Sequence, residues 1–212
     1  MPTSHFFWRK LHSLMGIIPL GVFLLVHLFI NSFALKGENA FNHAAGFMKE
    51  LPYLIIIELE VILIPLLFHI IYGILVLWRA DSDLRRYPRL SLWMYFLQRA
   101  TGIAAIIFIA AHLYHTTISM RFINHQEITF QYMSFLFNNP LTLVFYLVGL
   151  AAVVFHFANG IWNFLITWGI TAGRNSQRTM GWVCAVVGFA IFLSGANIIA
   201  AFLGAGITIF NG

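Results

Sequence analysis

Each of four apolar runs long enough to cross a lipid bilayer holds a histidine well inside it: His27, His69, His112 and His156. No other feature narrows the possible folds so far. A polar ring in hydrocarbon is costly unless a partner, a water-lined cavity or a metal takes up its nitrogens, so the four rings are expected to converge inside a helix bundle. One histidine per helix implies ligands that come in pairs.

The solvent follows from composition. With 60% hydrophobic and only 9% charged residues, the chain has too little polar surface for a water-soluble domain. Five stretches meet the roughly 20 apolar residues needed to span about 30 Å of hydrocarbon, at residues 11–35, 53–78, 93–120, 141–168 and 180–210. All five are expected to be helices, because a span without water must satisfy its backbone internally and the alternating pattern of a membrane barrel is absent. The expected fold is therefore all-α, an integral membrane bundle of five transmembrane helices forming a single domain over residues 1–212. Arg9 and Lys10 precede the first run, but that run is too long for a signal h-region and lacks a small-residue cleavage site, so it is expected to be retained.

Loop charge orients the bundle. Nine basic residues (Arg9, Lys10, Arg79, Arg85, Arg86, Arg89, Arg99, Arg174 and Arg178) fall on one side and three (Lys36, Lys49 and Arg121) on the other. The positive-inside rule then puts the N-terminus in the cytoplasm and the uncharged C-terminal Phe210, Asn211 and Gly212 outside. The net charge of +5 is explained by topology and calls for no nucleic acid. A lone cysteine, Cys184, excludes a cysteine-ligated iron–sulfur cluster, a zinc–cysteine site and an intrachain disulfide.

Helix polarity sorts the histidines by depth. The first and third spans run outward and place His27 and His112 each about eight residues from their outer ends. The second and fourth run inward and place His69 about nine and His156 about twelve residues from their cytoplasmic ends. At 1.5 Å per residue the outer and inner layers are separated by on the order of 10 to 15 Å. Two stacked bis-histidine sites result.

One histidine from each of two facing helices is the axial arrangement of a low-spin b-type haem. Zinc or di-iron would need more ligands, and neither paired Glu-x-x-His motifs nor the histidine boxes of membrane desaturases occur. His112 and His115, three residues apart, share roughly one face and leave the third span's ligand ambiguous by spacing. His112 is preferred because it is deeper; His115 is left to face a quinone, a propionate or water.

Small residues fit flat macrocycles in such a bundle. Gly73 and Gly160 each lie one turn beyond an inner histidine, in Phe68-His69-x-x-x-Gly73 and Phe155-His156-x-x-x-Gly160. Gly16, eleven residues before His27, faces the core at the inner depth. Gly181, Gly188 and Gly195 repeat every seven residues in a span without histidine, which reads as helix packing. Glu58 precedes His69 by eleven residues, which on an unbroken α-helix gives it the same inward face at the outer depth, where it reads either as a proton carrier or as an interfacial carboxylate. Glu60 should point away. Pro19 and Pro65 are expected to kink their helices.

The strings RKLHSLMG, VHLFINSFA, FNHAAGFM, FHIIYG, LQRATGI, FHFANGIWNF and TWGIT, in this order across nearly the whole chain, closely resemble the dihaem cytochrome b anchors of bacterial succinate:menaquinone oxidoreductases of Bacillus type. The resemblance implies two haems b, the outer on His27 and His112 and the inner on His69 and His156, in agreement with the depth argument. It implies a subunit of the bacterial cytoplasmic membrane that anchors a flavoprotein with covalent FAD and an iron–sulfur protein on the cytoplasmic face. Electrons would pass from succinate through those subunits and the two haems to menaquinone, without succinate touching this chain. Since menaquinone has the lower potential, such enzymes are thought to draw on the membrane potential, worth about 2.3 kcal/mol per charge per 100 mV.

Other roles implied at the site are secondary to the four ligands. Arg9, His12, Ser13, Gln98 and Arg99 cluster at the cytoplasmic ends of the first and third spans, where hydrogen bonds to haem propionates would tune potential. An outer quinone pocket is expected near His27, Asn31, Glu58 and His115. Related fumarate reductases carry a glutamate two residues before the fourth-span ligand; here that position is Val154, which leans the chain towards succinate oxidation. The rival readings are the same subunit in a quinol:fumarate reductase, a cytochrome b anchor of another respiratory dehydrogenase, and a haem-free transporter using Glu58 as a relay.

Overall fold

In a computed structural model, residues 3–78 and 89–207 are described, with side chains from 6 to 78 and from 92 to 207. The basic loop residues Arg79, Arg85 and Arg86, the Arg89 side chain and the terminal Phe210, Asn211 and Gly212 lie outside these. Five helices are long and apolar enough to cross a membrane: Phe6–Lys36, Leu54–Trp78, Leu92–Ile123, Pro140–Thr167 and Arg174–Phe202. The chain is a multi-pass integral membrane protein, and no strand occurs among the described residues.

The first span is α1 (Thr3–Ile17) and α2 (Pro19–Asn31), closed by a 3₁₀ turn Ser32–Lys36. Pro19 has no N–H to return to the preceding turn, so the helix is interrupted at Ile18, although Ile18 N–H still reaches the Leu14 carbonyl at 2.9 Å. After α3 (Glu38–Lys49), the short α4 (Leu54–Ile56) passes through a π-helical turn, Ile57–Leu63, into α5 (Ile64–Trp78). Pro65 explains that turn. Its missing N–H deprives the Val61 carbonyl of its usual α-helical donor, and the Ile64 N–H bonds five residues back, to Leu59.

The third span is α6 (Arg89–Leu113), continued by a second π-helical segment, Tyr114–Ile123. The short α7 (Phe130–Asn138) and the fourth span, α8 (Pro140–Thr167), start on side-chain caps: Thr129 Oγ1 accepts from the Tyr132 N–H, and Asn139 Oδ1 from Leu141 and Thr142. The fifth span, α9 (Arg174–Phe202), begins six residues before the expected Met180, because the polar run Arg174–Thr179 already forms helical turns. It ends before the expected Phe210, where Gly204 at φ 73° lets the chain reverse and Asn197 bonds both the N–H and the carbonyl of Ile207.

Packing is uneven along the bundle. The main buried cluster joins Ala34, Phe41, Met133, Phe137, Tyr146, Ile198 and Phe202 at the end where α3 and α7 meet. Asn42 Oδ1 accepts from Phe130 N–H at 2.8 Å, Lys49 pairs with Glu127 at 2.8 Å, and Gln131 bonds Glu38, so α3 and α7 close that end together. The glycines of α9 serve the packing expected of them: a Cβ at Gly188 would stand 2.7 Å from Ala158 Cβ, and one at Gly195 2.8 Å from Leu150. Exposed apolar side chains such as Phe29, Leu67, Ile107, Val148 and Phe189 form the lipid-facing surface of a spanning bundle.

Candidate cofactor sites between facing helices

Four helices deliver the histidines in two pairs. His27 on α2 and His112 at the end of α6 have ring centroids 5.7 Å apart, nearer the α3/α7 end. His69 on α5 and His156 on α8 have ring centroids 6.2 Å apart, deeper towards the opposite end. Two imidazoles sharing one metal, each with its nitrogen about 2 Å away, stand with ring centres roughly 6 Å apart. Both separations are of that size.

The donor set also distinguishes a macrocycle from a bare ion. Among the described residues no three His, Cys, Asp or Glu side chains converge on one point. A facing pair of imidazoles could hold a metal whose remaining donors belong to a bound ring. The space beside the two glycines is taken by facing helices: Gly73 lies against the His12 ring edge and Gly160 against Gln98.

The His69–His156 pair is oriented by backbone. His69 Nδ1–H donates to the His12 carbonyl at 3.0 Å, and His156 Nδ1–H donates to the Gln98 carbonyl at 3.0 Å. A carbonyl can only accept, so each Nδ1 carries the hydrogen and each Nε2 keeps its lone pair for a ligand. Gln98 is itself held. Its Nε2 donates to the His156 carbonyl at 3.1 Å, and its Oε1 accepts from buried Asn159 at 2.7 Å.

His12, Arg9, Ser13 and Arg99 surround the same end. The His12 ring stacks on His69 with centroids 4.0 Å apart and planes 9° from parallel, and its Nε2 is buried without a partner among the described residues. Arg9 lies on α1 and Arg99 on α6. The Arg99 guanidinium also lies over the Tyr95 ring, 3.4 Å from its centroid. Ser13 is already engaged: its Oγ donates to the Lys10 carbonyl at 2.8 Å and accepts from Trp168 Nε1 at 3.2 Å.

At the α3/α7 end, the two histidines of the third span meet different neighbours. His112, and not His115, stands against His27. The His115 ring stacks instead on Tyr146 at 6.5 Å, and its carbonyl accepts from Tyr132 Oη at 2.7 Å. Tyr132 lies outside the spans, and burial pushes its phenol above the ordinary value, so this donor keeps its proton. His112 is wedged between Phe108 and Tyr146, with centroids 5.8 and 5.7 Å away. Three buried atoms there have no partner among the described residues: His112 Nδ1, His115 Nδ1 and Tyr146 Oη. Asn31 turns back on its own helix, donating to the His27 carbonyl at 2.7 Å.

Glu58 occupies a different setting from the one an unbroken helix implies. The π turn at Ile57–Leu63 shifts the phase on which the eleven-residue count to His69 depended, and the carboxylate accepts from Arg121 Nη1 at 2.9 and 2.8 Å. Glu60 is exposed, as expected. Arg121, known from sequence only as an outer-side charge, also contributes here, as do Tyr146, Asn159 and Gly102. Gly102 and Asn159 stand inside the quoted strings LQRATGI and FHFANGIWNF, so position in those strings was the available signal.

Comparison with known proteins agrees with this architecture. Residues 79–195, more than half of the chain, match the family model described as succinate dehydrogenase/fumarate reductase transmembrane subunit. The chain is 39% identical over 201 residues, 95% of its own length and 98% of the relative's, to the succinate dehydrogenase cytochrome b558 subunit of Bacillus subtilis (strain 168). This chain belongs to the family of succinate dehydrogenase and fumarate reductase transmembrane subunits.

Proposed function

We propose that this chain anchors a succinate dehydrogenase in the bacterial cytoplasmic membrane and conducts electrons from an iron–sulfur subunit to menaquinone. The observation that carries the reading is the pairing of half-buried histidines at two depths, with centroids 5.7 and 6.2 Å apart. His27 and His112 would hold an outer haem b, and His69 and His156 an inner one. When bound, each iron supplies reversible one-electron exchange between the iron–sulfur subunit and the quinone.

The chain's own residues hold and tune. The His12 and Gln98 carbonyls fix the Nδ1 hydrogens of the inner pair. Arg9, Arg99 and the free Nε2 of His12 offer charge and a hydrogen bond to propionate carboxylates, while Ser13 contributes indirectly by holding Trp168. The flavoprotein and iron–sulfur subunits would dock at the end opposite α3 and α7, where basic residues concentrate. Quinone would bind near the α3/α7 end, beside His115 and Asn31, with Glu58 carrying protons at that surface.

Succinate oxidation is preferred over fumarate reduction because of Val154. It is 2% exposed and packs on Gly188 of α9, leaving no titratable group two residues before His156. A reduced-minus-oxidised spectrum and haem assay of the purified complex test the reading. Two b-type haems per copy of this chain are expected; absence of a b-type band would overturn it.

A further inference from the structure

His69 and His156 come from different helices and meet different neighbours, yet their surroundings repeat residue for residue. His69 donates to the His12 carbonyl, and its ring lies on Gly16, four residues further along α1, where a Cβ would stand 2.5 Å from Cε1 and 3.0 Å from Nδ1. His156 donates to the Gln98 carbonyl, and its ring lies on Gly102, four residues further along α6, where a Cβ would stand 3.0 Å from Cε1 and 3.3 Å from Nδ1. The repeat continues on the histidine helices. Gly73, four residues after His69, faces His12 Nε2 at 3.2 Å, and Gly160, four after His156, faces Gln98 Nε2 at 3.6 Å.

Helix geometry explains the spacing of four. The carbonyl of residue i−4 already accepts from the N–H of residue i, but it has a second lone pair. That lone pair is normally covered, because a helical side chain leans over the turn N-terminal to its own Cα. Glycine at i uncovers it. An imidazole can then approach flat against the helix and donate Nδ1–H to the exposed carbonyl.

We propose that Gly16 and Gly102 are positioning residues for the inner haem: each bares one helix carbonyl that fixes the Nδ1–H of a ligand histidine and aims its Nε2 at the iron. The inference rests on the dihaem reading and adds residues to it. In the outer pair His112 lacks the device, since its Nδ1 has no partner among the described residues. The effect is therefore expected at the inner haem.

The test uses the full complex carrying Gly16→Ala or Gly102→Ala, read by haem content, low-spin electron paramagnetic resonance and the midpoint potential of each haem. Either variant should lose the inner haem or shift its g values and potential, with the outer haem unmoved. Gly188→Ala, equally tight but against Ala158, is the packing control and should leave both haem signals in place. Unchanged inner-haem signals in both variants, or an equal change in the control, would overturn the proposal. Should an alanine variant fail to assemble, pulsed resonance on the wild-type complex with isotope-labelled histidine decides: a protonated, hydrogen-bonded remote Nδ1 on both inner ligands supports it, and a deprotonated remote nitrogen or Nδ1 ligation contradicts it. A wild-type complex without haem would instead sink the dihaem reading itself.

Discussion

Arg121 Nη1 donates to both carboxylate oxygens of Glu58, at 2.9 and 2.8 Å, and so ties the second span to the third at the α3/α7 end. Both partners sit on π-helical turns, Ile57–Leu63 and Tyr114–Ile123. Each side chain remains about two-fifths exposed, with 39% and 42% accessibility, so the pair is worth little to stability, below about 1 kcal/mol. Its importance would lie in proton handling. Glu58→Gln is expected to leave thermal stability and both haems intact while lowering quinone-reductase activity. Full retention of that activity would remove Glu58 from the proposed proton route.

The third span offers a discriminating pair of substitutions. His112 faces His27, whereas His115 stacks on Tyr146. His112→Leu should therefore abolish the outer haem's absorbance, and His115→Leu should spare it while altering quinone reduction. Loss of the outer haem in the His115 variant would reverse the ligand assignment.

Asn159 holds Gln98, and Gln98 in turn bridges to the His156 carbonyl. Replacing Asn159 with Leu leaves the half-buried Gln98 Oε1 without its donor, at a cost of about 1 kcal/mol. A lowered thermal midpoint is expected, together with a shifted inner-haem potential. An unchanged midpoint would show that Gln98 finds another donor at once.

Tyr132 gives a pH-dependent expectation with a definite sign. Burial raises its folded pKa, so the bond to the His115 carbonyl is fully present below the unfolded value and lost only as pH rises through the raised one. Tyr132→Phe should lower the thermal midpoint by an amount that stays constant across roughly pH 6 to 9 and shrinks only in stronger alkali. A difference that vanished near neutrality would contradict the protonated donor.

Particular residues show how far the sequence alone could be read. The four histidines and their sorting by depth were legible, because an ionisable ring in an apolar run is conspicuous and helix polarity converts position into depth. Glu58 was not, because Pro65 removes one donor and the resulting π turn shifts the phase of everything before it. The start of α9 was misplaced for a different reason: Arg174–Thr179 is polar, and hydropathy reports where lipid begins rather than where the helix does. Tyr146 looks like any aromatic in an apolar run, and only tertiary packing puts its ring beside His112 and His115 with 3% of the residue exposed. Gly102 shared a string with Gln98, but its role depends on the register between α6 and α8.

The pairing of the histidines is the central claim, and low-temperature reduced-minus-oxidised spectra of four single variants test it most directly. His27→Leu, His112→Leu, His69→Leu and His156→Leu should fall into two spectral classes. The first two variants should lose one haem component and the last two the other. A His27 variant that shared its residual spectrum with His69→Leu or His156→Leu, rather than with His112→Leu, would contradict the account.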